Sequence, residues 1–147
     1  MIAPDRMPAG DAVTELVLKT FRLNVLFLQV AESIARPIGL TAAWWQVLGA
    51  VLDGPLTVAG IAREMGLARQ SVQRIADLLA ARGLAEYRPN PAHRRASLVA
   101  PTVAGWAAIE SLRAAQHTWA NRVGAEVGER ELRQALSVVD KVIDALP

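Results

Sequence analysis

Apolar residues recur at helical spacing over most of the chain. From Asp11 to about Arg36, Leu16, Thr20, Leu23, Phe27, Val30 and Ile34 follow in alternating steps of four and three, a coiled-coil-like seam. A second set, Val17, Phe21, Val25 and Leu28, widens the stripe beyond one face. A helix apolar on more than one side is buried on more than one side. The segment therefore expects either a partner subunit, the preferred reading, or enclosure within its own chain. Pro37 ends the pattern, because the residue before a proline is steered away from the helical region. The far end mirrors this. Val103, Trp106, Ile109, Leu112, Trp119 and Val123 recur at near-helical spacing, Gly124 and Gly128 bracket a break, and Leu132, Leu136, Val139, Ile143 and Leu146 mark a last amphipathic helix.

Between these ends the periods are short. Thr41 is placed to cap a helix running to about Leu52, and Asp53-Gly54-Pro55 forms a turn. Thr57 caps a second short helix, Val58 to Met65, and Gly66 supplies a tight turn. A third helix spans about Ala68 to Arg82, with Val72, Ile75, Leu78 and Leu79 as its core stripe and Gly83 at the stop. Leu84 to Arg88 and Ala96 to Val99 read as short strands around the loop Pro89 to Arg95. The order is helix, tight turn, helix, then a hairpin with a basic tip.

Composition narrows the chemistry. With 52% apolar and 20% charged residues in 147, the chain has material for a real core. It has no cysteine, which removes disulfides, thiolate nucleophiles, zinc–cysteine sites and thiol-based redox sensing. The two histidines, His93 and His117, have no second ligand at metal spacing, so no metal site and no cofactor are expected. No carboxylate pair, nucleophile–base set or phosphate-cradling glycine loop stands out, so no catalytic residue is assigned and an enzyme is not expected. Residues 1–10 carry Pro4, Asp5, Arg6 and Pro8 rather than a signal-peptide core, and no run approaches the roughly 20 apolar residues of a membrane span. A soluble cytoplasmic protein without a membrane partner is the expectation.

Net charge is only +2, yet residues 58–100 hold seven arginines against Glu64, Asp77 and Glu86, a local +4. A basic middle between acidic ends is the footprint of a face that meets phosphates. The third helix offers Arg69, Gln70, Ser71, Gln73 and Arg74 off its apolar stripe. Arginine and glutamine carry the bidentate patterns that distinguish guanine and adenine in the major groove, and a serine hydroxyl suits a phosphate or a short base contact. The hairpin adds Arg94 and Arg95 at its tip, suited to a minor groove or phosphates, and Arg88 on the strand as a phosphate contact or a plain surface charge.

From Leu40 to Gly105 the chain resembles the MarR family of winged helix-turn-helix transcription regulators. The resemblance is carried by Leu40-Thr41 with Trp45-Gln46-Val47-Leu48, by IAREMGL at Ile61–Leu67, by SVQRIADLLAARGL at Ser71–Leu84 and by NPAHRRASLVAPTVAG at Asn90–Gly105. It implies a mainly α fold with a small β-hairpin wing. A flexible arm would occupy residues 1–10, a helical dimerisation module residues 11–36 and 102–147, and the winged helix-turn-helix DNA-binding domain residues 37–101. It also implies a homodimer bound to a pseudo-palindromic operator in double-stranded DNA, acting as a repressor that a small aromatic or anionic ligand releases. Half-sites would lie about 34–36 Å apart. The chain departs from the family pattern at His93, where the wing usually has Asp, and at Ala68, where a capping Ser is usual.

Trp45 matches a family position that borders the ligand pocket, and is otherwise a core or interface residue. His117 is either a polar group of that pocket or a solvent-facing residue. Trp106 and Trp119 are expected in the core. The rival reading from another class is a winged-helix protein-interaction or ligand-buffering dimer that does not bind DNA, which the modest net charge would suit.

Overall fold

The computed structural model describes residues 4–147. Six α-helices and three short strands follow in the order α1 (Pro8–Ala35), α2 (Ala42–Ala50), β1 (Leu56–Thr57), α3 (Val58–Met65), α4 (Arg69–Ala81), β2 (Ala85–Arg88), β3 (Leu98–Pro101), α5 (Val103–Val127) and α6 (Glu129–Ala145). Part of the arm expected over residues 1–10 lies outside the described residues. Of the rest, Pro8 to Gly10 already belong to α1. The first helical position tolerates a proline, since its missing N–H would have had no partner in the helix. Strand β1 was not foreseen: it is two residues long, too short for any period to register.

Side-chain caps set most of the helix boundaries. Thr41 Oγ1 accepts from Trp44 N, Thr57 Oγ1 from Gly60 N and Thr102 Oγ1 from Gly105 N, at 3.0–3.1 Å. Helix α4 starts at Ala68 without such a cap. It stops at Gly83, whose φ of 71° lies in the left-handed region. There Leu84 N donates to Leu79 O and Gly83 N to Ala80 O, the paired bonds that close a helix on glycine. The Thr102 hydroxyl donates to Gly83 O at 2.5 Å, so one residue joins the end of α4 to the start of α5. Gly105 completes that joint. A Cβ there would run into the carbonyl oxygen of Leu84.

The strands form one antiparallel sheet in the order β1-β3-β2, with Leu56 opposite Val99 and Tyr87 also opposite Val99. The core sits beneath it. Val47, Leu48, Val51, Ile61, Val72, Leu79, Val99 and Leu112 are fully buried, which seals α2, α3 and α4 against the sheet and the first half of α5. Leu78 departs from the expected α4 stripe: it is exposed, and Ala76 is buried beside Ile75 and Leu79. Trp106 is also exposed and Trp119 only half-buried, so neither is a core residue. The expected break at Gly124 and Gly128 falls at Gly128 alone, with Gly124 inside α5.

The terminal helices contrast with this core. Ala35 is the one buried residue of α1, and α6 has none. Their apolar stripes, including Phe21, Leu18, Leu136 and Ile143, stand open along the chain's surface. No single helix among the described residues is long and apolar enough to cross a membrane.

Candidate nucleic-acid interface

Helix α4 and the wing face each other across an open cleft of about 540 Å³. Arg69, Gln70 and Gln73 stand on the helix side, Arg95 and Ser97 on the wing side, and Thr57 with the start of α3 closes one end. The helix presents these residues because Val72, Ile75, Ala76 and Leu79 bury the opposite face. The hairpin holds Arg95 there through backbone turns: His93 N donates to Asn90 O, Ala96 N to His93 O, and Asn90 Oδ1 accepts from Ala92 N at 3.0 Å. An asparagine that bonds the backbone two residues on fixes a turn by itself. The tip is thus shaped without an aspartate at position 93.

Charge is left free where the sequence places it. Among the described residues Arg69, Arg74, Arg94 and Arg95 are exposed and none forms an ion pair, whereas Arg88 is bound to Glu86, its Nη2 2.8 Å and Nε 2.9 Å from Oε1. Arg88 thus stands on β2 already neutralised, and Arg94 lies at the tip outside the cleft. Arg74 and Gln70 border a shallow groove on the other flank of α4 with Leu78, and Ser71 is half-buried.

Gln73 is restrained. Its Nε2 donates to Asp77 Oδ1 and to the Tyr87 hydroxyl, both at 3.0 Å, while the Tyr87 hydroxyl in turn donates to Asp77 Oδ1. Partial burial, then the hydrogen bond and negative charge of Asp77, push the Tyr87 phenol up to about 12. Asp77 and Tyr87 escaped sequence reasoning. The available signals were the Gln73–Asp77 spacing of four on one helix face and the only tyrosine in the chain.

The second expected site lies elsewhere. Trp45 of α2 lines an apolar cavity of about 330 Å³ with Phe27, Val30 and Ile34 of α1 and Gln116 and Trp119 of α5. Phe27 and Trp119 meet edge to face with ring centroids 6.0 Å apart. His117 is on the exposed face of α5 and does not line this cavity, because its neighbour Gln116 takes the inward position. Trp44, beside Trp45, instead carries the Arg82 guanidinium 4.9 Å above its ring, and Arg82 also donates to Gly39 O.

Comparison with known proteins agrees with this architecture. Uncharacterised proteins of Mycobacterium tuberculosis and Mycobacterium bovis are 35% identical over 137 residues, spanning 93% of this chain and 96% of theirs. Among solved structures, the transcriptional regulator BldR of Sulfolobus solfataricus superposes with a TM-score of 0.84 at 16% identity, covering 95% of this chain and 100% of that one. A mutant MarR of E. coli complexed with operator DNA gives 0.78 at 21%, covering 93% and 97%. CouR of Rhodococcus jostii, bound to p-coumaroyl-CoA, gives 0.76 at 21%, covering 86% and 90%. A sequence model of the MarR family matches residues 38–96, the stretch that builds α2 to the wing, and with the fold in agreement the chain belongs to the MarR family of winged-helix transcription regulators.

Proposed function

We propose that the protein is a homodimeric, sequence-specific DNA-binding repressor that a small molecule releases from its operator. The observation that carries this reading is the cleft that sets Arg69, Gln70 and Gln73 opposite Arg95, with the arginine charges unpaired. Base-reading groups on one helix and a cation on a neighbouring loop suit adjacent grooves of one duplex. Arg69, Gln70, Gln73 and Arg74 read the major groove, Ser71 takes a backbone contact, and Arg94 and Arg95 take the minor groove or phosphates. Arg88, already paired, contributes at most a weak phosphate contact. The open stripes of α1 and α6 support the dimer, since apolar faces of this extent on a small chain call for a partner surface.

The ligand would occupy the cavity lined by Trp45, where α1 and α5 meet the first helix of the DNA-binding lobe. Its lining is aromatic and aliphatic with Gln116 as a polar group, which suits an aromatic molecule better than an anion. His117 could join only after α5 turns. Wedging the cavity open would change how the lobe sits on the terminal helices, and with it the spacing of two recognition helices in a dimer. The protein would act in the cytoplasm, on chromosomal DNA.

The test is a fluorescence-anisotropy titration of a mixed-sequence duplex at rising salt. Tight binding at low salt that weakens steeply as salt rises supports the reading. Absence of binding, or binding indifferent to salt, overturns it in favour of a protein-interaction dimer.

A further inference from the structure

We propose that Asp77 and Tyr87 are positioning residues of the DNA-binding site: a carboxylate–phenol strut that holds the wing at a fixed angle to helix α4, with neither group touching DNA. The inference rests on the DNA-binding reading of the cleft and adds what sets the spacing between its two sides.

The wing has little else to hold it. From Glu86 to Leu98 no side chain is buried, so the core that seals Ala85 and Val99 stops at the base of the hairpin. Pairing of β3 with β1 ends there too, at Leu98 opposite Thr57. On the other edge, β2 leaves α4 through the turn at Gly83. An arm held only at its base can pivot about it. Tyr87 supplies a second point of attachment, further along the arm. Its hydroxyl donates to Asp77 Oδ1 and accepts from Gln73 Nε2 at 3.0 Å. Among the described residues these are the only side-chain hydrogen bonds between the hairpin and α4. Tyr87 is paired in register with the buried Val99 of β3, so a restraint on its ring acts on the sheet's central strand.

The carboxylate is otherwise out of place. Asp77 is the one acidic residue lining a cleft that also holds Arg69 and Arg95, yet it joins none of the ion pairs among the described residues. A bare negative charge beside phosphates weakens binding. As an acceptor it has a use. An ionised carboxylate only accepts, and it takes a phenol's hydrogen more strongly than a neutral oxygen does. Partial burial, followed by this bond and the charge of Asp77, raises the Tyr87 pKa to about 12, so the hydrogen stays in place across the physiological range. The strut also steadies Gln73, whose Nε2 lies 3.0 Å from both Asp77 Oδ1 and the Tyr87 hydroxyl. Helix and wing thus meet a duplex with their relative position already set, and less ordering remains to be done on binding.

The experiment measures binding of the full-length protein to a duplex carrying its selected sequence, over a range of salt. Each arginine–phosphate contact adds about 0.9 to the slope of log affinity against log salt, whereas a neutral hydroxyl releases no counterion. Tyr87→Phe keeps the ring and removes no positive charge. It should still lower the slope by about 1 unit or more, toward that of the Arg94→Ala/Arg95→Ala protein, because the wing arginines lose their register. A direct phosphate contact by Tyr87 would instead lower affinity and leave the slope alone. In the Tyr87→Phe background the two arginine substitutions should lower the slope by at least about 1 unit less than in the wild type, a coupling that independent sites do not show. Asp77→Ala should act like Tyr87→Phe. Asp77→Asn keeps an oxygen for the phenol and loses the charge; it should retain the wild-type slope and bind at least as tightly. A Tyr87→Phe slope within about half a unit of the wild type overturns the inference. So does additivity with the wing arginines, or a slope lost equally in Asp77→Asn and Asp77→Ala. Each of these leaves the DNA-binding reading intact while the wild type binds in a salt-dependent way. Failure of the wild type to bind any duplex overturns both.

Discussion

Truncating Leu136 and Ile143 together to alanine should break the proposed dimer without harming the winged-helix lobe. The two side chains lie seven residues apart on one face of α6 and are 59% and 60% exposed in the single chain. Burying a Leu or Ile side chain completely is worth about 2 kcal/mol, so the part still open here corresponds to about 1 kcal/mol per side chain when a partner covers it. A two-fold dimer contains each residue twice, and four truncations remove about 4 kcal/mol. At about 1.4 kcal/mol per decade, the dimer dissociation constant rises about a thousandfold. Sedimentation equilibrium reads that change directly. The fold should be kept, since neither side chain contributes to the core, and an unchanged thermal transition of the lobe at high protein concentration would show it. A rise of less than about tenfold, or a wild-type protein that stays monomeric at micromolar concentration, would refute the assignment of these helices to a dimer interface.

Other outcomes follow from particular groups. Arg94→Ala with Arg95→Ala removes up to four phosphate contacts from a dimer and should lower the slope of log affinity against log salt by up to about 3.6; a slope unchanged within one unit would exclude the wing from the interface. Gly105→Ala forces a Cβ against the Leu84 carbonyl and should cost about 3 kcal/mol, a fall of about 10 °C in Tm by calorimetry; a shift below about 3 °C would contradict that close approach. Tyr87 is the only tyrosine, so phenolate absorbance reports on it alone. With a folded pKa near 12 against an ordinary 10, the native state holds this proton more tightly than the unfolded chain. Its contribution to stability is complete below pH 10 and falls away as pH rises toward 12. Asp77→Ala should move the phenol's titration back toward 10, and no movement would break the link between the two groups.

The fold was legible wherever periodicity or a cap carried it. Thr41, Thr57 and Thr102 each cap the helix that their position implies, and Gly66 and Gly83 stop α3 and α4 as left-handed residues. Leu78 and Trp106 were misread because periodicity gives a stripe's width but not the direction of its neighbours. Both sit at its margin, where packing against α2 and the sheet decides burial. Gly124 was misread because a single glycine weakens a helix interior by only about 1 kcal/mol and need not end it. At the proposed interface, residue type pointed to Arg69, Gln70, Ser71, Gln73, Arg74, Arg88, Arg94 and Arg95. What the sequence could not reveal is pairing across elements. Glu86 neutralises Arg88 two residues away on one strand face, and Tyr87 reaches Gln73 only because β2 folds back beside α4. Gln116 rather than His117 lines the cavity, a choice set by the rotation of α5.

The most direct test of the account is selection of bound duplexes from a random pool by the wild-type protein. A dimer reading DNA through two α4 helices should enrich a two-fold-symmetric sequence whose half-sites lie about 34–36 Å apart, one helical turn. Enrichment of an asymmetric single site, or no enrichment at low salt with or without aromatic ligands, would contradict it.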